Sequence, residues 1–150
     1  MALTTKQQET LKRTTRAFEA YGIADGLAKG KGVIAATYNF ATLGGAVGDI
    51  ALGAKFDQAV IVTDIYLQKV VDPDSGGLAT IAVKAGSTAL VAATAFDNAA
   101  FTGTGKLTLT SSATAIEVPA DSELTITVAV AALTAGQFRL CVEFIPARDL

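Results

Sequence analysis

Several groups of side chains in this 150-residue chain could do chemistry. Asp72, Asp74 and Ser75 offer the hard oxygen ligands that calcium takes. No Glu stands at the twelfth position of an EF-hand loop, so a solvated Asp-Pro turn is the plainer expectation. Glu117, Asp121 and Glu123 gather around Pro119. They could supply the carboxylate pair of a glycosidase, which must face across a sugar-sized cleft. Tyr38, Phe40, Tyr66, Phe96 and Phe101 could stack on a sugar or a base, although Tyr38 and Phe40 share a strand face and are expected in the core. The string Gly26-Leu27-Ala28-Lys29-Gly30-Lys31-Gly32 fails as a phosphate loop. Three residues, not four, separate its glycines, and Gly32 stands where a hydroxyl is required. The chain has no His and one Cys, Cys141. This excludes a Ser-His-Asp triad, a Cys/His zinc site and an intrachain disulfide. With no His to activate it, Cys141 is expected to be a small buried hydrophobe. No nucleophile–base pair or metal-ligand cluster emerges, so neither an enzyme nor a cofactor is expected.

Composition narrows the class further. Hydrophobic types make up 51% and charged types 17%, which argues for one folded domain with a core. Much of the hydrophobic share is Ala, and Thr and Gly are plentiful, which suits closely packed sheets. No run of about 18 apolar residues predicts a membrane-spanning helix, and Met1 to Glu19 lacks the apolar stretch of a secretory signal. Twelve Lys and Arg against fourteen Asp and Glu give a net charge of −2, which argues against a nucleic-acid coat.

The charge is unevenly placed. Residues 1–32 hold six basic and three acidic residues, a net +3; the remainder holds six basic and eleven acidic, a net −5. The basic arm reads as a helix opening on Thr5 and Gln8 as a capping box. Gln7, Leu11, Thr14, Phe18 and Tyr21 follow the 4-3-4-3 spacing of a coiled-coil seam, with Lys6, Lys12, Arg13 and Arg16 on the opposite side. So short a helix needs a surface to pack on. That surface is its own β body, a symmetry mate or a larger partner; the uneven charge favours docking on a partner, through the basic residues and through Leu11, Phe18 and Tyr21. Gly22, Gly26, Gly30 and Gly32 end it as a hinge.

From Val33 onward the period is two. Leu124, Ile126, Val128 and Val130 fall on one face of a strand, Thr125, Thr127, Ala129 and Ala131 on the other. Phe138, Leu140, Val142 and Phe144 repeat the pattern, with Gly136 expected as the turn between the two. Further strands are expected at 33–42, 47–53, 60–70, 78–84, 89–95, 106–110 and 115–118, separated by Gly-, Pro- and Asp-rich turns. This spacing predicts a mainly β domain over 33–150, an antiparallel β-sandwich of the jelly-roll kind, behind the helical arm at 1–32. Ala129, Ala131, Cys141 and Ile145 lie on outward faces and are expected in subunit contacts.

Ala36-Thr37-Tyr38-Asn39-Phe40-Ala41, the run Gly44 to Gly53, and Ala59 to Asp64 together resemble the opening of small virion structural proteins of tailed bacteriophages. Ala79 to Val83, Leu90 to Ala95, and the segment from Ala131 to Phe144 continue the likeness, which covers most of 33–146. The resemblance implies a β-sandwich that forms trimers and attaches to a shell by an N-terminal segment, with no catalytic residues. The expected function is capsid decoration or cementing, in the virion, with the major capsid protein and further copies of the chain as partners. A tail, neck, baseplate or host-adhesion component is the alternative within the virion. A carbohydrate-binding jelly roll is the alternative outside it.

Overall fold

The computed structural model of the protein describes residues 4–6, 32–111 and 115–147. In chain order the elements are β1 (Gly32–Asn39), α1 (Phe40–Leu43), β2 (Gly48–Lys55), β3 (Val60–Ser75), β4 (Thr80–Ala85) and β5 (Thr88–Ala95), followed by α2 (Ala99–Thr102), β6 (Gly105–Lys106), β7 (Ile116–Val118), β8 (Glu123–Ala129) and β9 (Leu133–Pro146). They form two antiparallel sheets. The first runs β1-β9-β3, with β6 and β7 both on the far edge of β3; the second runs β2-β8-β4-β5. The fold is mainly β, as the period of two predicts.

The two sheets enclose one core. Tyr38, Ile65, Leu67, Phe138, Leu140 and Val142 enter it from the first sheet; Ile81, Val83, Leu90, Leu124, Ile126 and Val128 enter from the second. Alternation does the sorting. On β8 the branched aliphatics are buried, while Thr125, Thr127 and Ala129 remain half-exposed. Aromatic rings fill the wider part of the core. Phe138 lies 5.1 Å from Tyr38 and 5.9 Å from Phe101 between ring centroids. Two single-turn helices make corners, each opened by an Asn whose Oδ1 accepts from the amide two residues on, Asn39 from Ala41 and Asn98 from Ala100. The Tyr38 hydroxyl donates to the Gly44 carbonyl at 2.8 Å and ties the first corner to the core.

Several expectations are corrected. Among the described residues the helices are few and short; of the expected N-terminal helical arm only Thr4 to Lys6 and Gly32 are described, with Thr5 and Lys6 helical, and they do not by themselves make up an arm. Beyond Lys6, the residues assigned to its contacts, Leu11, Lys12, Arg13, Arg16, Phe18 and Tyr21, lie outside the described residues. The strand expected to run through Ala131 stops at Ala129. Val130, expected inward, is 75% exposed at φ 71. Its neighbour Ala131, expected outward, packs against the core. Gly136 is no turn. It lies inside β9 at φ 137, with Pro73 of β3 closely packed against its backbone. The irregular register there explains how a proline is tolerated inside a 16-residue strand. The Asp-Pro segment thus extends β3 instead of ending it. Phe40 keeps its place against the core but sits in α1, since β1 ends at Asn39.

Candidate functional site

The most unusual surface lies where β2, β8 and β4 end side by side. Gly48 opens β2 opposite Val128, and Thr80 opens β4 opposite Ala129. Val47, Val130 and Leu78 therefore lie just beyond the ends of three neighbouring strands. They are 59%, 75% and 83% exposed. Together they offer water on the order of a few hundred Å² of apolar surface, the size of patch that on a monomer is often functional.

Backbone contacts lock the three loops together. The Leu133 amide donates to the Gly45 carbonyl at 2.8 Å, which ties the α1–β2 loop to the β8–β9 turn. The Ser75 hydroxyl donates to the Ala132 carbonyl at 2.7 Å, and Gly77 sits so close to Ala131 that a side chain would collide with it. These contacts tie the β3–β4 loop to the same turn. At its centre the Ala131 amide donates to the Ala129 carbonyl at 2.9 Å, with Val130 between them at φ 71. This is the geometry of a γ-turn, strained for any residue but glycine and most of all for a β-branched one. The fold holds an apolar side chain out in water at a cost in backbone strain, a pattern associated with function.

Charge flanks the patch without entering it. Lys69 pairs with Asp72 at 2.9 Å on β3. On the outer face of the second sheet, Asp49 accepts from the Thr127 hydroxyl at 2.5 Å and faces Lys84 at 3.8 Å. An apolar centre with polar margins is the anatomy of a protein-binding surface.

The residues expected in subunit contacts are not brought together. Ala129 ends β8 beside the patch, and Ala131 packs beneath it. Cys141 and Ile145 lie on β9 in the other sheet, opposite Tyr66 and Ile61 of β3. Cys141 is a half-buried free thiol. Lys6 is exposed. The Asp72, Asp74 and Ser75 segment is strand, with the Asp74 carboxylate accepting from the Ser75 amide. Glu117, Asp121 and Glu123 are spread over β7, a turn and β8. Among the described residues no three His, Cys, Asp or Glu side chains are grouped to hold a metal ion. Of the aromatics proposed for stacking, Tyr66 is exposed, at 39%; Tyr38 and Phe101 are buried and Phe40 and Phe96 pack against the core.

The sequence reading missed Val47 and Leu78 and misplaced Val130. No local signal marks them as a group, because they come from three distant segments joined only by strand pairing. No known protein family, curated protein or solved structure matches the chain.

Proposed function

We propose that this chain is a non-enzymatic structural protein of a tailed-bacteriophage virion, with a jelly-roll body, which decorates or cements the capsid as a trimer. The observation that carries this reading is the apolar strand end at Val47, Leu78 and Val130, a fixed surface suited to seating on another protein. What supports the jelly-roll reading is the pairing scheme. Counting β6 and β7 as one position leaves eight, and first pairs with last, second with seventh, third with sixth and fourth with fifth, as when one long hairpin is rolled up. Such folds are common in viral shells. What supports the attachment reading is the charge division, +3 over residues 1–32 against −5 beyond.

In this mechanism the body seats its apolar strand end on the outer capsid surface. Lys6, Lys12, Arg13 and Arg16 of the arm meet acidic patches between capsid subunits, and Leu11, Phe18 and Tyr21 anchor in apolar gaps. Three arms on one trimer raise avidity without any new contact.

Co-sedimentation with phage heads lacking this protein tests the reading. The wild-type protein is expected to pellet with heads. Leu78→Asp, which puts a charge into the apolar seat, is expected to lose about 30-fold or more in affinity while the body stays folded. Wild-type protein that stays in the supernatant, or pellets with tails and not heads, overturns the capsid assignment.

A further inference from the structure

We infer that β1 adds edge to edge to the β1 of a second copy of this chain, antiparallel about a two-fold axis at Ala35, so that the first sheets of the two copies become one. A two-fold contact is separate from the three-fold association of the proposed function, and the inference does not depend on that reading.

A strand at the edge of a sheet carries a row of unpaired N–H and C=O groups, and folds blunt such edges with charge, proline, bulges, shortness or cover. Three of the four sheet edges here are blunted. β2 carries Asp49 and Lys55 near its ends, its pairing with β8 is broken between Ala51 and Lys55, and Gly53 bends it at φ 79. β5 pairs irregularly with β4, and the segment after β6 lies against it, the Thr110 amide and hydroxyl donating to the Leu90 and Ala89 carbonyls. The far edge of β3 holds only the two residues of β6 and the three of β7, with Lys106 and Glu117 among them. β1 is the exception. It is eight residues long, pairs with β9 at every residue without a shift, and has no charge, no proline and no glycine after Gly32. Among the described residues nothing pairs with its other side.

The occupant follows from what this edge can match. Among the edges of this chain, only β1 itself offers a second row of backbone groups as long, as regular and as free of charge. Antiparallel pairing about a two-fold axis closes the contact at two copies. Residues opposed in such a pair point to the same side of the sheet. Val33, Ala35 and Thr37 of one copy therefore meet those of the other on the outer face. These side chains are small or β-branched and reach solvent in the single copy, so they lie against one another with no like charges opposed. Ile34, half-buried at the edge and packed on the core, gains cover from the joined strand.

Charge selects the register. On β9, Glu143 stands beside Val33 and Arg139 beside Thr37. Both alternate with the buried Phe138, Leu140 and Val142 and so lie on the outer face. With Ala35 opposite Ala35, Val33 stands opposite Thr37 of the second copy. Each such row then reads Glu143, Val33, Thr37, Arg139, the last two from the second copy. No other antiparallel register puts Glu143 of one copy in a row with Arg139 of the other. An axis at Val33 or at Thr37 instead sets Glu143 toward Glu143 or Arg139 toward Arg139. Three strand spacings separate the matched pair by about 14 Å at Cα, a span that an extended glutamate and arginine largely cross. Among the described residues neither makes an ion pair within its own copy. The two-fold repeats the row, so one contact gains two such attractions.

Sedimentation equilibrium on the full chain tests this. The wild type is expected to show a pairing step, giving dimers or even multiples of the chain. Ala35→Lys and Ala35→Glu each set like charges across the axis, and each alone is expected to weaken pairing about fivefold or more. An equimolar mixture of the two sets opposite charges there and is expected to pair within about threefold of wild type, a recovery that unfolded variants cannot give. Cys141 is the only cysteine in the chain and stands beside Ala35, so the two thiols of a pair fall in one row, about 14 Å apart at Cα. Spin labels on Cys141 are expected to show dipolar broadening that Ala35→Lys removes. A wild type without a pairing step, charges at position 35 without effect, a mixture that pairs no better than its components, or paired labels without broadening overturns the inference. Trimers that bind heads and never pair would sink this contact and spare the capsid assignment. Pairs of the predicted geometry that ignore heads would do the reverse.

Discussion

Val130 carries the sharpest conflict between stability and surface. A β-branched residue at positive φ costs about 1–2 kcal/mol, and its side chain gains little in return because it is 75% exposed. Glycine removes that strain, at some cost in unfolded-chain entropy. Val130→Gly is therefore expected to stabilise the body by about 0.5–1 kcal/mol in urea titrations. The same variant should bind phage heads more weakly, since part of the apolar seat is gone. Tyr38 makes a second residue-level test. Burial raises its pKa above the ordinary 10.0, so the folded state holds the phenol proton longer than the unfolded chain does. The stability linked to that proton is complete below about pH 10 and is lost as pH rises through the folded pKa. Tyr38→Phe should flatten this alkaline loss in pH-dependent melts, and should cost about 1 kcal/mol at neutral pH for the hydrogen bond to Gly44.

Among elements, β3 and β9 form the spine of the first sheet, and their irregular pairing depends on Gly136 against Pro73. A side chain at 136 would meet the Pro73 backbone at 3.0 Å from a φ of 137. Gly136→Ala is expected to destabilise by about 2–3 kcal/mol, read as a lower urea midpoint with the slope unchanged. These strands were largely legible in the sequence. Leu124, Ile126 and Val128, then Phe138, Leu140 and Val142, announce their facing by alternation, because one face is buried and the other is not. The ends of the elements were less legible. Ala129-Val130-Ala131 contains no Gly, Asn or Pro, so the alternation of the sequence runs straight through a turn held by contacts from Gly45 and Ser75. Gly136 errs the other way, being a turn-former used for close packing. The candidate site was illegible for a related reason. Val47, Leu78 and Val130 meet only after β2, β8 and β4 pair, and a single sequence carries no trace of that register.

At the scale of the molecule, a chain of uneven charge carries a two-sheet body with an apolar end. In the proposed function the basic N-terminal segment supplies charge and the strand end supplies apolar area. These parts predict different responses to salt. Attraction through the basic N-terminal segment should weaken as ionic strength rises, whereas the proposed contact at Leu78 should persist. The central claim is that the apolar strand end faces the shell. A photo-crosslinking residue placed at Leu78 in assembled particles tests it, with the same residue at the exposed Ala51 of β2 as control. The account predicts a crosslink to the major capsid protein from position 78 and none from position 51. No crosslink from 78, or crosslinks to tail proteins alone, would contradict it.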